Sequence, residues 1–97
     1  LQKNKLDLQI EIETRNLQEV QQVLNCGIAH RIMFDNFSPA LVAEAVQLVN
    51  KTLETEASGG INLTNIREYA EAGVDYISVG ALTHSVKSLD LSLKIRK

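Results

Sequence analysis

Two adjacent glycines lie where a strand-like segment gives way to a helix-like one, in the run Glu56-Ala57-Ser58-Gly59-Gly60-Ile61-Asn62. Gly59 and Gly60 lack a Cβ, so the backbone there can turn sharply and approach a ligand closely. The first N–H groups of the helix that Asn62 opens lack intrahelical partners and point toward the turn. We therefore predict a phosphate-binding corner at Ser58, Gly59 and Gly60.

A second corner of the same kind follows in Ser78-Val79-Gly80-Ala81-Leu82, where another strand-like segment stops at small residues. Two such corners on neighbouring parallel strands can hold one phosphate from both sides, as in barrels of strand–helix units. We therefore add Gly80 and Ala81 to the predicted phosphate-binding residues. His84 follows this corner and is a further candidate near the ligand.

Acidic residues end three of the predicted strands, at Glu13, Asp35 and Glu56. Ligands of parallel α/β folds bind at the carboxyl ends of strands, so these acids are expected to converge beside the phosphate corners. Such a group indicates a divalent metal or the hydroxyl groups of a sugar, and Mg²⁺ commonly takes one or two carboxylates plus substrate phosphates. For each acid taken singly, a helix cap or a lysine pair remains an alternative.

The alternation of side chains strengthens the assignment of Glu13 and Asp35. In the first strand, odd-numbered residues oppose the apolar even-numbered ones of residues 6–12, and in the second, Asp35 opposes Ile32 and Phe34. Both acids are therefore expected to point into the mouth of a barrel.

Glu11 shares the phase of Glu13 one layer deeper, where a lone carboxylate is costly, so we predict a basic or hydrogen-bonding partner for it. Arg31, Lys51 and Arg67 are predicted at strand starts or on helix faces, away from the site. No basic residue is obvious at the strand ends, although a multiply charged anion normally needs several. His30 is predicted to be a surface residue at the opposite end.

Strand and helix patterns alternate along the whole chain. Strands are predicted at 6–13, 31–36, 51–57 and 75–79, and helices follow Asn16, Ser38-Pro39 and Asn62, the last over 63–72. Thr83-His84-Ser85 is predicted to be a turn, and 89–95 an extended tail. This order predicts an α/β fold: a partial (β/α) barrel of four parallel strand–helix units followed by an extended C-terminal tail.

Four strands are half of an eight-stranded barrel. We therefore expect residues 1–97 to be a fragment, the C-terminal half of a barrel domain whose first strands and N-terminal domain are absent. Open sheet edges invite pairing with another chain, so the piece is not expected to be stable alone.

The bulk properties fit one small domain. Hydrophobic residues make up 44% of 97 residues, and the net charge of −2 suggests neither a nucleic-acid nor a membrane partner. Cys26 is the single cysteine, which fits a reducing compartment, and no run of about 18 apolar residues occurs. We predict a cytoplasmic protein.

Four blocks, in this order and at this spacing, closely resemble the carboxyl-terminal part of the quinolinate phosphoribosyltransferase family, also called carboxylating nicotinate-nucleotide pyrophosphorylases. The match runs over nearly the whole chain from about Leu6, and Leu89-Asp90-Leu91-Ser92-Leu93 fits the family's closing segment. The blocks are Ile10-Glu11-Ile12-Glu13-Thr14, Met33-Phe34-Asp35-Asn36-Phe37-Ser38, Glu56-Ala57-Ser58-Gly59-Gly60-Ile61 and Gly73-Val74-Asp75-Tyr76-Ile77-Ser78-Val79-Gly80-Ala81-Leu82-Thr83-His84-Ser85.

The resemblance implies an enzyme of NAD biosynthesis that joins quinolinate to phosphoribosyl pyrophosphate, with Mg²⁺ and no organic cofactor. The products are nicotinate mononucleotide, pyrophosphate and carbon dioxide. It implies that Glu13 and Asp35 lie at the phosphoribosyl and metal side of the site. It further implies a phosphate pocket lined by Ser58, Gly59, Gly60 and Gly80, with Asn36 and Ala81 beside them.

The family's amino-terminal domain and first barrel strands, which supply the Arg, Lys and His residues that hold quinolinate and pyrophosphate, have no counterpart in this sequence. The family also works as a dimer, so we expect a homo-oligomer and an inactive isolated chain. Two alternatives remain. One is a non-catalytic, self-associating half-barrel. The other is a different phosphate-binding barrel enzyme, such as an indole or thiamine pathway synthase, which leaves Glu13 and Asp35-Asn36-Phe37 unexplained.

Overall fold

The computed structural model describes residues 9–79 and 82–88, apart from the side chains of residues 82 and 88. Strands and helices alternate through most of this range. The elements are β1 (Glu11–Thr14), α1 (Leu17–Cys26), β2 (Arg31–Asp35), α2 (Pro39–Val49), β3 (Glu54–Ser58), α3 (Ile66–Glu71), β4 (Tyr76–Val79), β5 (Leu82–Ser85) and a 3-10 turn (Val86–Ser88). The strands form one sheet in the order β1-β2-β3-β4-β5. The first four are parallel, which confirms a mostly parallel α/β fold.

Short polar side chains start the first two helices where the sequence predicts. Asn16 Oδ1 accepts a hydrogen bond of 2.8 Å from the backbone N–H of Glu19, and Ser38 Oγ accepts one of 3.2 Å from that of Leu41. These bonds satisfy N–H groups that have no partner within the helix. Helix α1 ends at Gly27, whose φ of 73° is a left-handed conformation that glycine adopts without steric cost.

One face of the sheet packs against the helices and forms the core. Ile32, Phe34 and Ile77 on this helix-covered face have no exposed surface. The rings of Phe34 and Phe37 stack with centroids 5.1 Å apart, and the Tyr69 hydroxyl donates a 2.8 Å hydrogen bond to the Phe37 carbonyl. The segment that follows β2 is therefore held in place by its contacts with Phe34 and with Tyr69 of helix α3.

The prediction of a turn at Thr83-His84-Ser85 is wrong. These residues belong to β5, which pairs antiparallel with β4 from Val79↔Leu82 to Tyr76↔Ser85. The segment lacks an apolar alternation of its own, so only its pairing with β4 makes it a strand. Within the described residues, three strands are followed by helices and β4 is followed by β5 and the 3-10 turn, so a fourth strand–helix unit is not confirmed. The predicted tail at 89–95 lies outside the described residues.

The third strand begins later than predicted and extends one residue further. Asn50 and Lys51 have φ values of 53° and 64°, so the chain makes a left-handed turn after α2 where a strand was predicted from Lys51. Strand β3 then continues through Ser58, which pairs with Asp35. This shift changes the position of Glu56, as described below.

Candidate functional site

Glu13, Asp35 and Ser58 lie at one edge of the sheet, at the carboxyl ends of three neighbouring strands. Glu13 pairs with Met33, one residue before the end of β1. Asp35 ends β2 and pairs with Ser58, the last residue of β3. The side chains of Glu13 and Asp35 are 47% and 24% exposed, so both carboxylates reach solvent. The three residues therefore share the edge where parallel α/β folds bind ligands.

The glycine turn after β3 packs directly on the end of β2. A Cβ added to Gly59 would lie 2.7 Å from Asn36 Oδ1 and 3.0 Å from Asp35 Oδ1, and the φ of Gly59 is +89°. The backbone N–H of Asn36 donates a 2.8 Å hydrogen bond to the Ser58 carbonyl, and Asn36 itself has a φ of 63°. Only glycine at position 59 permits this approach, which brings the turn against the acid.

The turn is also tied to the segment that follows it. Asn65 Nδ2 donates a 2.9 Å hydrogen bond to the Gly60 carbonyl. Asn62 Oδ1 accepts hydrogen bonds from the backbone N–H groups of Thr64 and Asn65, at 2.9 and 3.2 Å. Helix α3 starts at Ile66 and not at the predicted residue 63, because Asn62 closes a turn there. Two N–H groups expected to face a phosphate therefore have partners already, and the phosphate corner depends on the glycine turn.

Arg15 is a basic residue at the strand ends that sequence reasoning missed. Its Nη2 lies 3.4 Å from Glu13 Oε2, and its Nε lies 3.8 Å from Asp35 Oδ2. Its backbone N–H donates a 2.8 Å hydrogen bond to Glu19 Oε1, which fixes the chain where it enters α1. The signal that identifies Arg15 is its position directly after β1, at the same edge as both acids.

Glu56 lies in the middle of β3 and not at its end, so the prediction that it joins Glu13 and Asp35 at the strand ends is wrong. It is 2% exposed and faces the side of the sheet opposite the helices, here called the open face, which carries Glu13, Asp35 and Glu56. Arg31 lies at the start of β2, away from the strand ends as predicted, and its Nη1 is 3.5 Å from Glu56 Oε1. The sequence did not reveal that β3 continues two residues past Glu56.

Glu11 lies on the open face one layer below Glu13, and the partner predicted for it is present. Its carboxyl hydrogen-bonds Glu56 and lies within electrostatic reach of Arg31. Partial removal from water, the hydrogen bond to Glu56 and the negative charge of Glu56 raise the pKa of Glu11 to about 7. Burial alone raises the pKa of Glu56, but the hydrogen bonds it accepts and the nearby Arg31 outweigh that effect and lower it.

The structure does not bring His84 to the acids. His84 pairs with Ile77, which is buried on the helix-covered face, whereas its neighbour Thr83 contacts Glu56 on the open face. Because side chains alternate along a strand, His84 lies on the side away from Glu56. Gly80 and Ala81 lie outside the described residues. His30 is exposed at the opposite end of β2, as predicted, and accepts a 3.2 Å hydrogen bond from the Ile10 N–H.

The described residues contain neither a cluster of metal ligands nor a helix that could cross a membrane. No group of three or more His, Cys, Asp or Glu side chains within residues 9–79 and 82–88 is arranged to hold a metal ion. Across the same part of the chain, no helix has the length and apolar character needed to cross a membrane. Cys26, the single cysteine, is exposed and unpaired with another cysteine.

The sequence was compared with protein families, curated proteins and solved structures. The family model described as "Quinolinate phosphoribosyl transferase, C-terminal domain" matches residues 2–94. The chain is 45% identical to a chloroplastic carboxylating nicotinate-nucleotide pyrophosphorylase of Oryza sativa, over 98% of the chain and 29% of that protein. It is 46% identical to a probable carboxylating nicotinate-nucleotide pyrophosphorylase of Methanocaldococcus jannaschii, over 89% of the chain and 32% of that protein.

The fold agrees with these matches. The structure resembles the crystal structure of nicotinate-nucleotide pyrophosphorylase from Ehrlichia chaffeensis with a TM-score of 0.71 and 38% identity, over 79% of this chain and 28% of that one. The chain spans about three-tenths of the length of the curated relatives it matches. Because the family model covers nearly all of its residues, the chain belongs to the quinolinate phosphoribosyl transferase family and corresponds to its C-terminal domain.

Proposed function

We propose that the complete protein containing this chain transfers a phosphoribosyl group from phosphoribosyl pyrophosphate to quinolinate and decarboxylates the adduct, giving nicotinate mononucleotide. The ring nitrogen attacks the anomeric carbon as the bond to pyrophosphate breaks. One carboxylate then leaves as carbon dioxide, the electron pair of the broken carbon–carbon bond stays on the ring carbon, and that carbon takes a proton. The observation that carries this proposal is the packing of the Gly59 turn on Asp35 and Asn36, which puts the glycine turn beside an acid.

The glycine turn is suited to the phosphate end of the ribosyl substrate. Gly59 and Gly60 both have positive φ, and successive backbone N–H groups in such conformations form concave anion sites. Ser58, the last residue of β3, supplies a hydroxyl at the same edge. We propose that Ser58, Gly59, Gly60 and Asn36 hold the phosphate, together with Gly80 and Ala81.

The two acids at the strand ends are suited to the sugar end. As the bond to pyrophosphate breaks, positive charge develops on the ribose ring. Fixed carboxylates at Glu13 and Asp35 would stabilise that charge electrostatically. Arg15 holds the two side chains at one place by contacting both of them. In this proposal the two acids stabilise the transition state, and the glycine turn binds the phosphate of the substrate.

The described donor set fits a Mg²⁺ ion that arrives with a diphosphate, and it does not form a metal site of protein groups alone. Glu13 and Asp35 are the residues that would hold the ion, directly or through water. When bound, Mg²⁺ would neutralise the charge of the leaving pyrophosphate.

We infer that the sheet is part of a (β/α) barrel, of which residues 1–97 form the C-terminal half. The relatives are about three times longer than this chain, and the open face leaves charged groups such as Glu13 exposed. Groups that bind quinolinate and pyrophosphate would then come from elsewhere in the complete protein, and a homodimer is the expected assembly. The 97-residue chain alone is expected to be inactive.

We keep the cytoplasm as the predicted compartment, which is a proposal for this chain only. The rice relative carries the word chloroplastic in its name. Localisation of the tagged complete protein in its own cell would decide between the compartments.

The experiment that tests the activity is a direct assay of the complete protein with quinolinate, phosphoribosyl pyrophosphate and Mg²⁺, with nicotinate mononucleotide measured by chromatography. We expect product in equal amount to the carbon dioxide released. Asp35→Asn, which keeps the shape of the side chain, is expected to lower kcat by about 10²-fold or more, as loss of one electrostatic group in an active site does. Glu44→Gln, on the exposed side of α2, is the matched control. Absence of product from the unaltered complete protein would reject the proposed activity. Formation of product by the 97-residue chain would reject the expectation that this chain is inactive alone.

A further inference from the structure

Glu56 is a buried carboxylate to which the proposed chemistry gives no role. It is 2% exposed, and its pKa is lowered, so it keeps its charge at neutral pH. A buried charge is costly unless hydrogen bonds and an opposite charge compensate it. Glu56 has both, and its partners, which include Glu11 of β1, lie on the other four strands of the sheet.

Two of the partners are hydroxyls on β4 and β5. Ser78 Oγ donates a 2.7 Å hydrogen bond to Glu56 Oε2, and Thr83 Oγ1 donates one of 3.3 Å to the same oxygen. The two hydroxyl oxygens are 2.9 Å apart. One carboxylate oxygen thus joins β3 to both strands of the β4–β5 hairpin.

These bonds lie where the backbone pairing of the sheet is shortest. Strands β2 and β3 share five residue pairs, the last being Asp35↔Ser58. Strands β3 and β4 share only two, Glu56↔Tyr76 and Ala57↔Ile77. The bond from Glu56 to Ser78 reaches the residue just beyond the last pair. It therefore holds β4 against β3 at the level where the backbone ladder has ended.

The third partner supplies the opposite charge from β2. Arg31 Nη1 lies 3.5 Å from Glu56 Oε1, and the guanidinium carbon lies 3.8 Å from the centre of the Tyr76 ring. Arg31 also donates a 3.1 Å hydrogen bond to Glu54. Glu11 of β1 also shares a hydrogen bond with Glu56, so side chains of all five strands meet at Glu56 on the open face.

We propose that Glu56 is a positioning residue that fixes the end of β3 against β4, and so holds the glycine turn that begins three residues later, at Gly59, in the shape that binds phosphate. This inference rests on the proposed function, because it assigns the phosphate to the turn at Gly59. Glu56 acts through Ser58 and the turn, and it does not touch the ligand. Its loss should weaken binding of the phosphate end of the substrate and leave the pyridine end unaffected.

The test measures two dissociation constants by calorimetry on the complete protein, one for ribose 5-phosphate and one for quinolinate. The variant is Glu56→Gln, which removes the charge and keeps the volume. Glu54→Gln is the matched control, because Glu54 lies on the same strand and face and also binds Arg31, but its side chain is 53% exposed. We expect Glu56→Gln to weaken ribose 5-phosphate about tenfold, the loss of a hydrogen-bonded charge, with quinolinate changed less than about twofold. Glu54→Gln should change both constants less than about twofold.

Two milder variants keep the test decisive if Glu56→Gln does not fold. Ser78→Ala and Thr83→Val each remove one hydroxyl and leave Glu56 in place. Ser78→Ala is expected to weaken ribose 5-phosphate about threefold or more, and Thr83→Val, whose bond is longer, by less. Unchanged ribose 5-phosphate binding in Ser78→Ala, or an equal loss for both ligands in any folded variant, would overturn the inference. Failure of the unaltered protein to bind ribose 5-phosphate would instead overturn the proposed function, and this inference with it.

Discussion

The two faces of the sheet are built from the same strands, but one buries apolar side chains and the other carries charged ones. On the helix-covered face, Phe34 and Ile77 have no exposed surface, and helices of the chain itself cover them. On the open face, Glu13 and Asp35 remain 47% and 24% exposed, whereas Glu56 is buried beside two hydroxyls and Arg31. The first face accounts for folding. The second holds charge at a cost, which is expected where a chain binds a ligand.

The largest expected effect comes from the helix-covered face. Phe34→Ala removes a fully buried ring that stacks on Phe37, so it should lower the free energy of unfolding by about 3–5 kcal/mol. Met33→Ala is the matched control, because Met33 is the preceding residue on the strand and faces the open side. It should cost clearly less than Phe34→Ala. Urea denaturation of the complete protein measures both, and equal losses would contradict the division between the faces.

The next effect is at the glycine turn, where the open face meets the predicted phosphate. Gly59→Ala places a methyl group 2.7 Å from Asn36 Oδ1 and 2.9 Å from its backbone nitrogen, at a φ of +89°. The turn must move off Asp35 and Asn36, so we expect kcat/KM for phosphoribosyl pyrophosphate to fall about 10²-fold or more.

Gly27→Ala separates the clash at Gly59 from backbone strain. Gly27 also has a positive φ, +73°, but an added Cβ there meets nothing within 4 Å. It should cost about 1–2 kcal/mol of stability, the left-handed strain of a residue with a Cβ, and leave kcat/KM unchanged. An equal loss of activity in both variants would remove the evidence that the turn binds phosphate.

The faces also differ in how well the sequence predicts them. Alternation along β1 and β2 correctly predicts the helix-covered side of Ile32 and Phe34, because burial of apolar groups decides it. Glu56 was assigned to a strand end because the sequence does not give the register of the strands. The pairing of β2 with β3, which ends at Asp35↔Ser58, sets that register. Strand β5 was missed for a similar reason, since three of its four residues are polar and its pairing with β4 makes it a strand.

Arg15 tests a weaker property of the open face. Its contacts with Glu13 and Asp35, at 3.4 and 3.8 Å, put a positive charge where a divalent ion would lie. A charge pair at about 4 Å in water is worth about 1 kcal/mol, so Arg15→Gln should tighten Mn²⁺ binding about fivefold. Electron paramagnetic resonance of free Mn²⁺ measures this binding without any turnover.

The matched control for Arg15 is Arg67→Gln. Arg67 is an exposed arginine in α3 that pairs with Glu71 at 2.9 Å, on a helix and not at the strand ends. Its loss should leave Mn²⁺ binding unchanged. Equal effects of the two substitutions would mean that the net charge of the protein alone sets its affinity for Mn²⁺. If Arg15→Gln has no effect, Arg15 does not influence metal binding.

The last expected effect is a pH dependence of stability that begins at Glu11. Its pKa lies at about 7, above the ordinary value of 4.5, so the folded protein holds this proton more tightly than the unfolded chain does. The stabilisation is complete below pH 4.5 and is lost as the pH rises through 7. Glu56, whose pKa is lowered, acts in the opposite sense, and its contribution is lost as the pH falls below its ordinary value.

Glu11→Gln isolates the first of these effects, because the amide can still donate a hydrogen bond to Glu56 at every pH. The difference in stability between the unaltered protein and this variant should change between pH 4.5 and 7 and be constant above that range. Carbon-13 NMR of labelled glutamate should show one carboxyl that titrates near pH 7 and is missing from the variant. Glu56→Gln removes the negative neighbour and should move that titration toward lower pH. If the titration stays near pH 7 in Glu56→Gln, then the loss of contact with water, and not the pairing with Glu56, raises the pKa of Glu11.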